Sequence, residues 1–424
     1  MTTANALSAA PHLLAHQVPL VLNSGDTAWM LASTGLVLFM TLPGVALFYG
    51  GMVRKKNLLA TMAQSVAVTV IASIIWVLLG YSLTFGVGAT PAINNVIGSF
   101  DVFGLHGVGL NTAYSAAPQL PEYLWIAYQM TFAIITPALI AGSIVERMKF
   151  SAFCLFIALW SIFVYAPVAH WVWGGGFLAQ MGVLDFAGGA VVHVNSGVAG
   201  LVACLVIGKR KGFGRDNMAP HNLGYTMIGA SMLLVGWLGF NAGSEWKADS
   251  LAAVAALNTI VATMTGAIGW IVPEWFERKQ PTLLGMVSGM IAGLVAITPA
   301  AGFVGPGAAL LIGLITGPIC YFASTYVKNL FKYDDSLDAF GVHAVGGFTG
   351  ALLTAVFADT AINPAGAGAS VLKQLLGLIA VIAWSATVSF IILMVCKYTT
   401  GLRVTDEQEI EGLDQSQHGE TLHG

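Results

Sequence analysis

The chain is 424 residues long, with 57% hydrophobic residues, only 9% charged residues and a formal net charge of −3. Soluble folds carry about 25% charged residues, so this composition excludes a soluble globular protein and indicates one built into a bilayer. The cysteines, Cys154, Cys204, Cys320 and Cys396, show no paired spacing and read as small buried apolar residues, neither a disulfide framework nor a metal site.

No Lys or Arg precedes Arg54, so residues 1–26 lack the basic region of a signal peptide and read as a short extracytoplasmic tail. Apolar stretches of about 20 residues then begin near 27, 58, 120, 149, 190, 222, 251, 281, 305, 338 and 371. They predict an all-α integral membrane protein, with eleven transmembrane helices across 27–400. Basic residues gather in the loops after odd-numbered spans: Arg54, Lys55 and Lys56; Arg147 and Lys149; Lys209, Arg210, Lys211 and Arg215; Arg278 and Lys279; Lys328 and Lys332; Lys397 and Arg403. Only Lys247 and Lys373, of 17, fall on the other side. The positive-inside rule therefore puts the N-terminus outside and the C-terminus in the cytoplasm. An even number of helices would break that alternation. The last segment, 401–424, carries six carboxylates from Asp406 to Glu420 and no Lys or Arg between them. Such a tail is expected to extend into solvent, as a regulatory contact or a disordered end.

Glycine numbers 50, about 12% of the chain, and phrases such as GMIAGL and GALLIGLITG space small residues by three and four. On membrane helices these faces allow close backbone approach and a compact bundle. Two phrases resemble each other: VVHVNSGVAG around His193 and GVHAVGGFTG around His343. An ionisable residue inside a membrane span is a functional-site hypothesis by default. Placed in the fifth and tenth spans, the two phrases suggest two five-helix repeats, necessarily inverted because five is odd, plus a final helix. Each histidine follows an acidic helix start, Asp185 or Asp338, which places His193 about 12 Å and His343 about 8 Å along its helix. For the two to meet within a core of about 30 Å, at least one helix must begin below the surface. Asp185 also suits a helix start on its own account, where a carboxylate caps exposed amides. Asp335 and Asp338 read as capping residues near an exit vestibule, and His170 as a structural residue in an outer loop.

Several phrases together are highly specific: DTAWMLASTGLVLFMTLPGVALFYGGMVRKKN (26–57), AHWVWGGG (169–176), LDFAGGAVVHVNSGVAGLV (184–202), GWLGFNAGS (236–244) and DDSLDAFGVHAVGG (334–347). In this order, to about residue 405, the chain resembles a bacterial ammonium transporter of the Amt/Mep/Rh family. The resemblance implies a homotrimer of eleven-helix subunits in the cytoplasmic membrane, each with its own pore, taking up ammonium or methylammonium. It also implies a possible PII-type regulatory partner on the cytoplasmic face. By motif, Phe132, Trp173 and Ser244 would form an outer recruitment site, Phe132 and Phe240 a stacked gate, and His193 and His343 a proton relay. Trp237, Tyr128 and a buried Asp185 would support them; family members often have phenylalanine where Tyr128 stands.

The residue chemistry suits those roles. An indole face attracts a cation by about 0.5–2 kcal/mol, and a hydroxyl accepts a hydrogen bond from ammonium. A bare ammonium ion in an apolar lumen faces a desolvation cost of order tens of kcal/mol, whereas ammonia faces a small one. Separating the proton from the nitrogen is thus favoured, and imidazoles that both donate and accept can pass that proton on. Two alternatives share much of the pattern: a rhesus-type neutral ammonia channel, and an ammonium sensor signalling through its tail. No cofactor, metal or nucleic-acid partner is expected, and no nucleophile–base pair, phosphate loop or nucleotide fingerprint suggests an enzyme.

Overall fold

Long uncharged segments satisfy their backbone groups in a bilayer only as helices or closed barrels, and this chain takes the first course. The computed structural model describes residues 17–422. The expected tail at 1–26 lies mostly outside the described residues. Its end, Gln17–Pro19, forms a strand (β1) antiparallel to Thr112–Tyr114 (β2).

Among the described residues ten helical runs are long and apolar enough to cross a membrane: α1 (Ser24–Met52), α2 (Lys55–Phe85), α3 (Glu122–Ile144), α4 (Phe150–Met181), α5 (Gly189–Ile207), α6 (Leu223–Glu245), α7 (Ser250–Arg278), α9 (Pro306–Phe331), α10 (Phe340–Phe357) and α11 (Val371–Thr399). The predicted span near 281 is the shorter apolar helix α8 (Leu283–Ile297), of 15 residues. Its partners explain its compactness. A Cβ placed on Gly293 of α8 or on Gly313 of α9 would lie 2.2 Å from the Ala262 carbonyl of α7, so only glycine permits these three backbones to meet. Several runs contain wide π-helical turns, including Met40–Val45 around Pro43, whose ring removes an amide from the ladder. Trp76, Trp125, Trp160 and Trp237 are all essentially buried.

The basic loops are organised rather than merely solvated. Glu146 takes Arg54 Nε at 2.9 Å and Arg210 Nη1 at 3.1 Å, and Arg210 Nη2 reaches Asp334 at 2.8 Å. Fully buried Arg147 finds acceptors for its guanidinium at Gly208, Val145, Ser143 and Asp334 carbonyls and at Ser336 Oγ. Burial pushes the Glu146 and Asp334 carboxyls up, but the facing arginines outweigh it and hold both below the ordinary carboxylate range. Removing one member leaves buried charge unpaired, so Arg210→Ala is expected to cost about 3–5 kcal/mol, read as a lower thermal midpoint in detergent. An unchanged midpoint would show that these pairs do not hold the loops together. Because both native carboxyls titrate lower than in the unfolded chain, their contribution is complete above the ordinary carboxylate range and lost as pH falls below about 4.

The acidic tail departs from expectation: it packs instead of extending. Asp406–Glu411 (α12) starts with a capping box between Thr405 and Gln408, and Leu413–His418 (α13) follows a glycine turn. Glu409 accepts from Lys211 N and Arg403 Nη2, both at 2.6 Å, and Asp414 accepts from the Ala60 amide of α2 at 2.8 Å. Leu413, Glu409 and Asp414 are all buried. These two carboxylates pack because donors outside the acidic run meet them, Lys211 and Arg403 at Glu409 and the start of α2 at Asp414. Composition reports the charges but not those partners.

Candidate functional site

The twin phrases become a crossing of α5 and α10. Asp185 makes the first half possible. Its Oδ1 accepts the Gly188 and Gly189 amides at 2.9 and 2.6 Å, and its Oδ2 accepts those of Ala190 and Val191 at 2.9 and 3.1 Å. One side chain thus satisfies the amides that a buried helix start leaves without intrahelical partners. Asp335 does a smaller version of the same at the other end, accepting the Phe340 amide at 2.8 Å. Both helices open with π-helical turns, Gly189–Val194 and Phe340–Ala344, so each histidine lies within about one turn of its helix start.

Glycine four residues after each histidine lets the helices touch. A Cβ on Gly197 would fall 2.4 Å from the Ala344 amide nitrogen, and one on Gly347 would fall 2.9 Å from the His193 Cβ. The repeated phrase is therefore a reciprocal contact: each helix offers a glycine to the other's histidine turn.

At the crossing, His193 Nδ1 and His343 Nδ1 stand 3.3 Å apart with rings 15° from parallel. A shared Nδ1–Nδ1 hydrogen bond requires one ring to donate and the other to accept. The outer nitrogens then differ: one Nε2 carries a proton and the other a lone pair. Passing a proton along the pair exchanges the two roles. His193 Nε2 is buried without a hydrogen-bond partner, although buried polar atoms in proteins generally have one. Trp237 stacks on His193 at 5.3 Å and is itself fixed by Nε1 donating to Thr298 Oγ1 at 2.9 Å.

Next to His193, Phe132 of α3 and Phe240 of α6 stack at 4.3 Å and 25°, with Phe240 6.1 Å from the imidazole. Both phenylalanines are buried. Beyond them, on the side that the positive-inside rule predicts to face outward, opens a cavity of about 370 Å³, the outer cavity, lined by Phe132, Trp173, Asp185, Ser244 and Glu245 among others. Trp173 meets Phe132 edge-on at 5.7 Å and donates its indole N–H to the Asp185 carbonyl at 3.0 Å. Ser244 Oγ donates to the Phe240 carbonyl at 2.8 Å, which leaves its lone pairs to accept from a ligand. Tyr128 OH stands 3.3 Å from that oxygen and 3.0 Å from the carbonyls of Gly239 and Phe240. Tyr128 does not line the cavity; it braces the serine from behind.

His343 lines a second cavity of about 300 Å³, with Tyr49, Glu274, Glu277, Ser324 and Asp338. A narrow apolar crevice lined by Phe48, Leu139, Trp237 and Ile291 also reaches His343. The succession is thus outer polar cavity, stacked phenyl rings, imidazole pair, and inner polar cavity. A small polar solute able to leave its charge behind fits it.

Phe132, Trp173, Ser244, Phe240, Asp185, Trp237, His193 and His343 line or border this succession, and Tyr128 stands behind Ser244. His170, expected in a loop, is instead buried in helix α4, where its two ring nitrogens face the Thr84 and Asn94 carbonyls at 2.7 and 2.6 Å. The apolar run around it continues the helix to Trp173. Asp338 lines the inner cavity and pairs with Lys328, whereas Asp335 stays a helix cap. Not foreseen from the sequence were Glu245 and Gln129, which line the outer cavity, and Tyr49, which lines the inner one. Glu245, a carboxylate directly after Ser244 at the end of a span, carried a signal; the other two carried none. Among the described residues no three His, Cys, Asp or Glu side chains converge as metal ligands would.

The Ammonium Transporter Family description matches residues 28–423. The chain is 48% identical over 408 residues to the ammonium transporter of Bacillus subtilis (strain 168), covering 94% of this chain and 98% of that one. It is also 48% identical to the ammonium transporter of Aquifex aeolicus, covering 95% of this chain and 94% of the relative. Among solved structures it resembles the crystal structure of Saccharomyces cerevisiae Mep2, with a TM-score of 0.81, 35% identity and 91% of each chain covered. A structure described as a sensor Amt protein matches at 28% identity with a TM-score of 0.85, over 93% of this chain and 98% of that one. The chain belongs to the ammonium transporter family: it is a multi-pass membrane transporter and not an enzyme.

Proposed function

For this member of the ammonium transporter family we propose a route in which ammonium is recruited at Phe132, Trp173 and Ser244 and loses its proton at the stacked gate of Phe132 and Phe240. Ammonia then crosses past His193 and His343 while the pair relays the proton. The observation that carries this reading is the 3.3 Å imidazole pair beside that gate, with one outer nitrogen left unpartnered in an otherwise apolar surround. Such a pair is costly to bury unless a ligand completes it. What supports the outer site is an indole face and a serine with free lone pairs on a single cavity.

We extend the reading to eleven membrane crossings, α8 included, arranged as two inverted five-helix repeats and a final helix, with the N-terminus outside and the basic face in the cytoplasm. A homotrimer in the inner membrane, with a PII-type protein on the basic face, follows from the family resemblance. The basic loops that hold the tail support that placement through the positive-inside rule.

The experiment is charge movement in purified proteoliposomes after an ammonium jump. A current carried with ammonium supports net transport with proton relay. Internal alkalinisation without current would replace the reading by a rhesus-type neutral channel. Trp173→Leu and Ser244→Ala test the outer site. Trp173→Leu is expected to raise the ammonium KM about twofold to thirtyfold, the span that a lost cation–π contact of about 0.5–2 kcal/mol implies, and Ser244→Ala to raise it through the loss of one hydrogen-bond acceptor. Wild-type KM in both variants, with folding intact, would move the recruitment site elsewhere.

A further inference from the structure

Among the described residues every buried or half-buried carboxylate side chain but one, in the outer cavity, meets at least one donor. Asp26 accepts the Ala248 amide at 2.8 Å, Asp185 takes four amides, and Glu274 takes Thr282 Oγ1 at 2.8 Å. Glu245 is different. It is half-buried, lines the outer cavity beside Ser244, and makes no side-chain hydrogen bond or ion pair among the described residues.

The turn that carries it is fixed. Trp246 takes a left-handed φ of 60°, packs edge-on against Trp125 at 4.6 Å, and accepts Gln119 Nε2 on its carbonyl at 3.0 Å. The backbone on the other side is held by the Ser244 hydroxyl on Phe240. The remaining charges nearby are committed or opposed. Asp249 caps α7 through the Leu251 and Ala252 amides, and Lys247 lines the same cavity with the opposite sign. A fixed, unanswered carboxylate next to a serine and an indole face fits a small cation.

We propose that Glu245 is a cation-attracting residue of the outer site, setting the affinity with which ammonium is captured ahead of Ser244 and Trp173. The proposal rests on reading the outer cavity as the recruitment site. Its charge raises the local concentration of cations at the mouth and is opposed by Lys247. An electrostatic role is sensitive to salt, whereas a packing role is not.

The test is ammonium and methylammonium uptake by Glu245→Gln, Glu245→Asp and Lys247→Gln at low and high ionic strength. Removing one unit charge from the rim of a partly solvated site should raise KM about threefold to tenfold at low salt, with the maximal rate within about twofold. Glu245→Asp should stay near wild type, Lys247→Gln should lower KM, and the differences should shrink at high salt. Wild-type KM in Glu245→Gln, or an increase independent of salt, would overturn the proposal. If Glu245→Gln does not fold, the sign and salt dependence of Lys247→Gln decide the matter. Trp173→Leu and Ser244→Ala are measured alongside. If those two raise KM and the Glu245 and Lys247 variants do not, Glu245 alone is excluded; if none does, the recruitment site itself is misplaced.

Discussion

In proteoliposomes, His193→Ala/His343→Ala is expected to lose ammonium-specific charge movement by about a hundredfold, the low end of what positioned proton-transfer groups contribute. The reason lies in what remains once the rings are gone. On the gate side the pair's surroundings are then Trp237, Phe240 and the apolar crevice, where no side chain is a base that could take up a proton and pass it on. Either no charge crosses, or water fills the enlarged lumen and potassium crosses as readily as ammonium. Both outcomes remove the specificity. A full current that still discriminates against potassium would rule out the relay. Each single variant should be informative because the two rings are not equivalent. His193 is enclosed and stacked on Trp237, whereas His343 also faces the inner cavity. Loss of His193 is expected to reduce the current more. A thermal midpoint close to wild type is the control that separates lost relay from lost packing.

That these two histidines belong together was legible in the sequence, because the phrases share a histidine followed four residues later by glycine. The structure gives the spacing its meaning: Gly197 and Gly347 each admit the other helix's backbone. The depth of the meeting was not legible, since it depends on helices that start at Gly189 and Phe340 rather than at the acidic residues before them. The aromatic and serine set was reached through the family resemblance, each member alone being an ordinary membrane residue. The tail was misread for a physical reason. Glu409 and Asp414 find their donors at Lys211 and Ala60, which lie 198 and 354 residues away in the chain. A count of charges within the tail contains nothing about either. The phrase GWLGFNAGS that carries the resemblance ends at Ser244, one residue short of Glu245.

Asp185 presents the second large effect, and there structure and charge must be separated. Its two oxygens accept four amides, all within a buried turn. In Asp185→Asn one oxygen becomes an NH2 group that faces two amide donors. Each unsatisfied buried donor costs about 1–3 kcal/mol, so the substitution should destabilise by roughly 2–6 kcal/mol, and Asp185→Ala by more. The damage should not stay local. The Asp185 carbonyl receives the Trp173 indole, and the same turn leads within a few residues to His193. Loss of the anchor therefore loosens recruitment and relay together, and transport should fall more than the KM change from Trp173→Leu alone would give. Were Asp185 to act only through its field on the cation, Asp185→Asn would raise KM and leave the thermal midpoint in place. A lower midpoint with lost transport identifies the carboxylate as the buried cap on which the histidine helix is built. An unchanged midpoint with a raised KM assigns it to the cation instead.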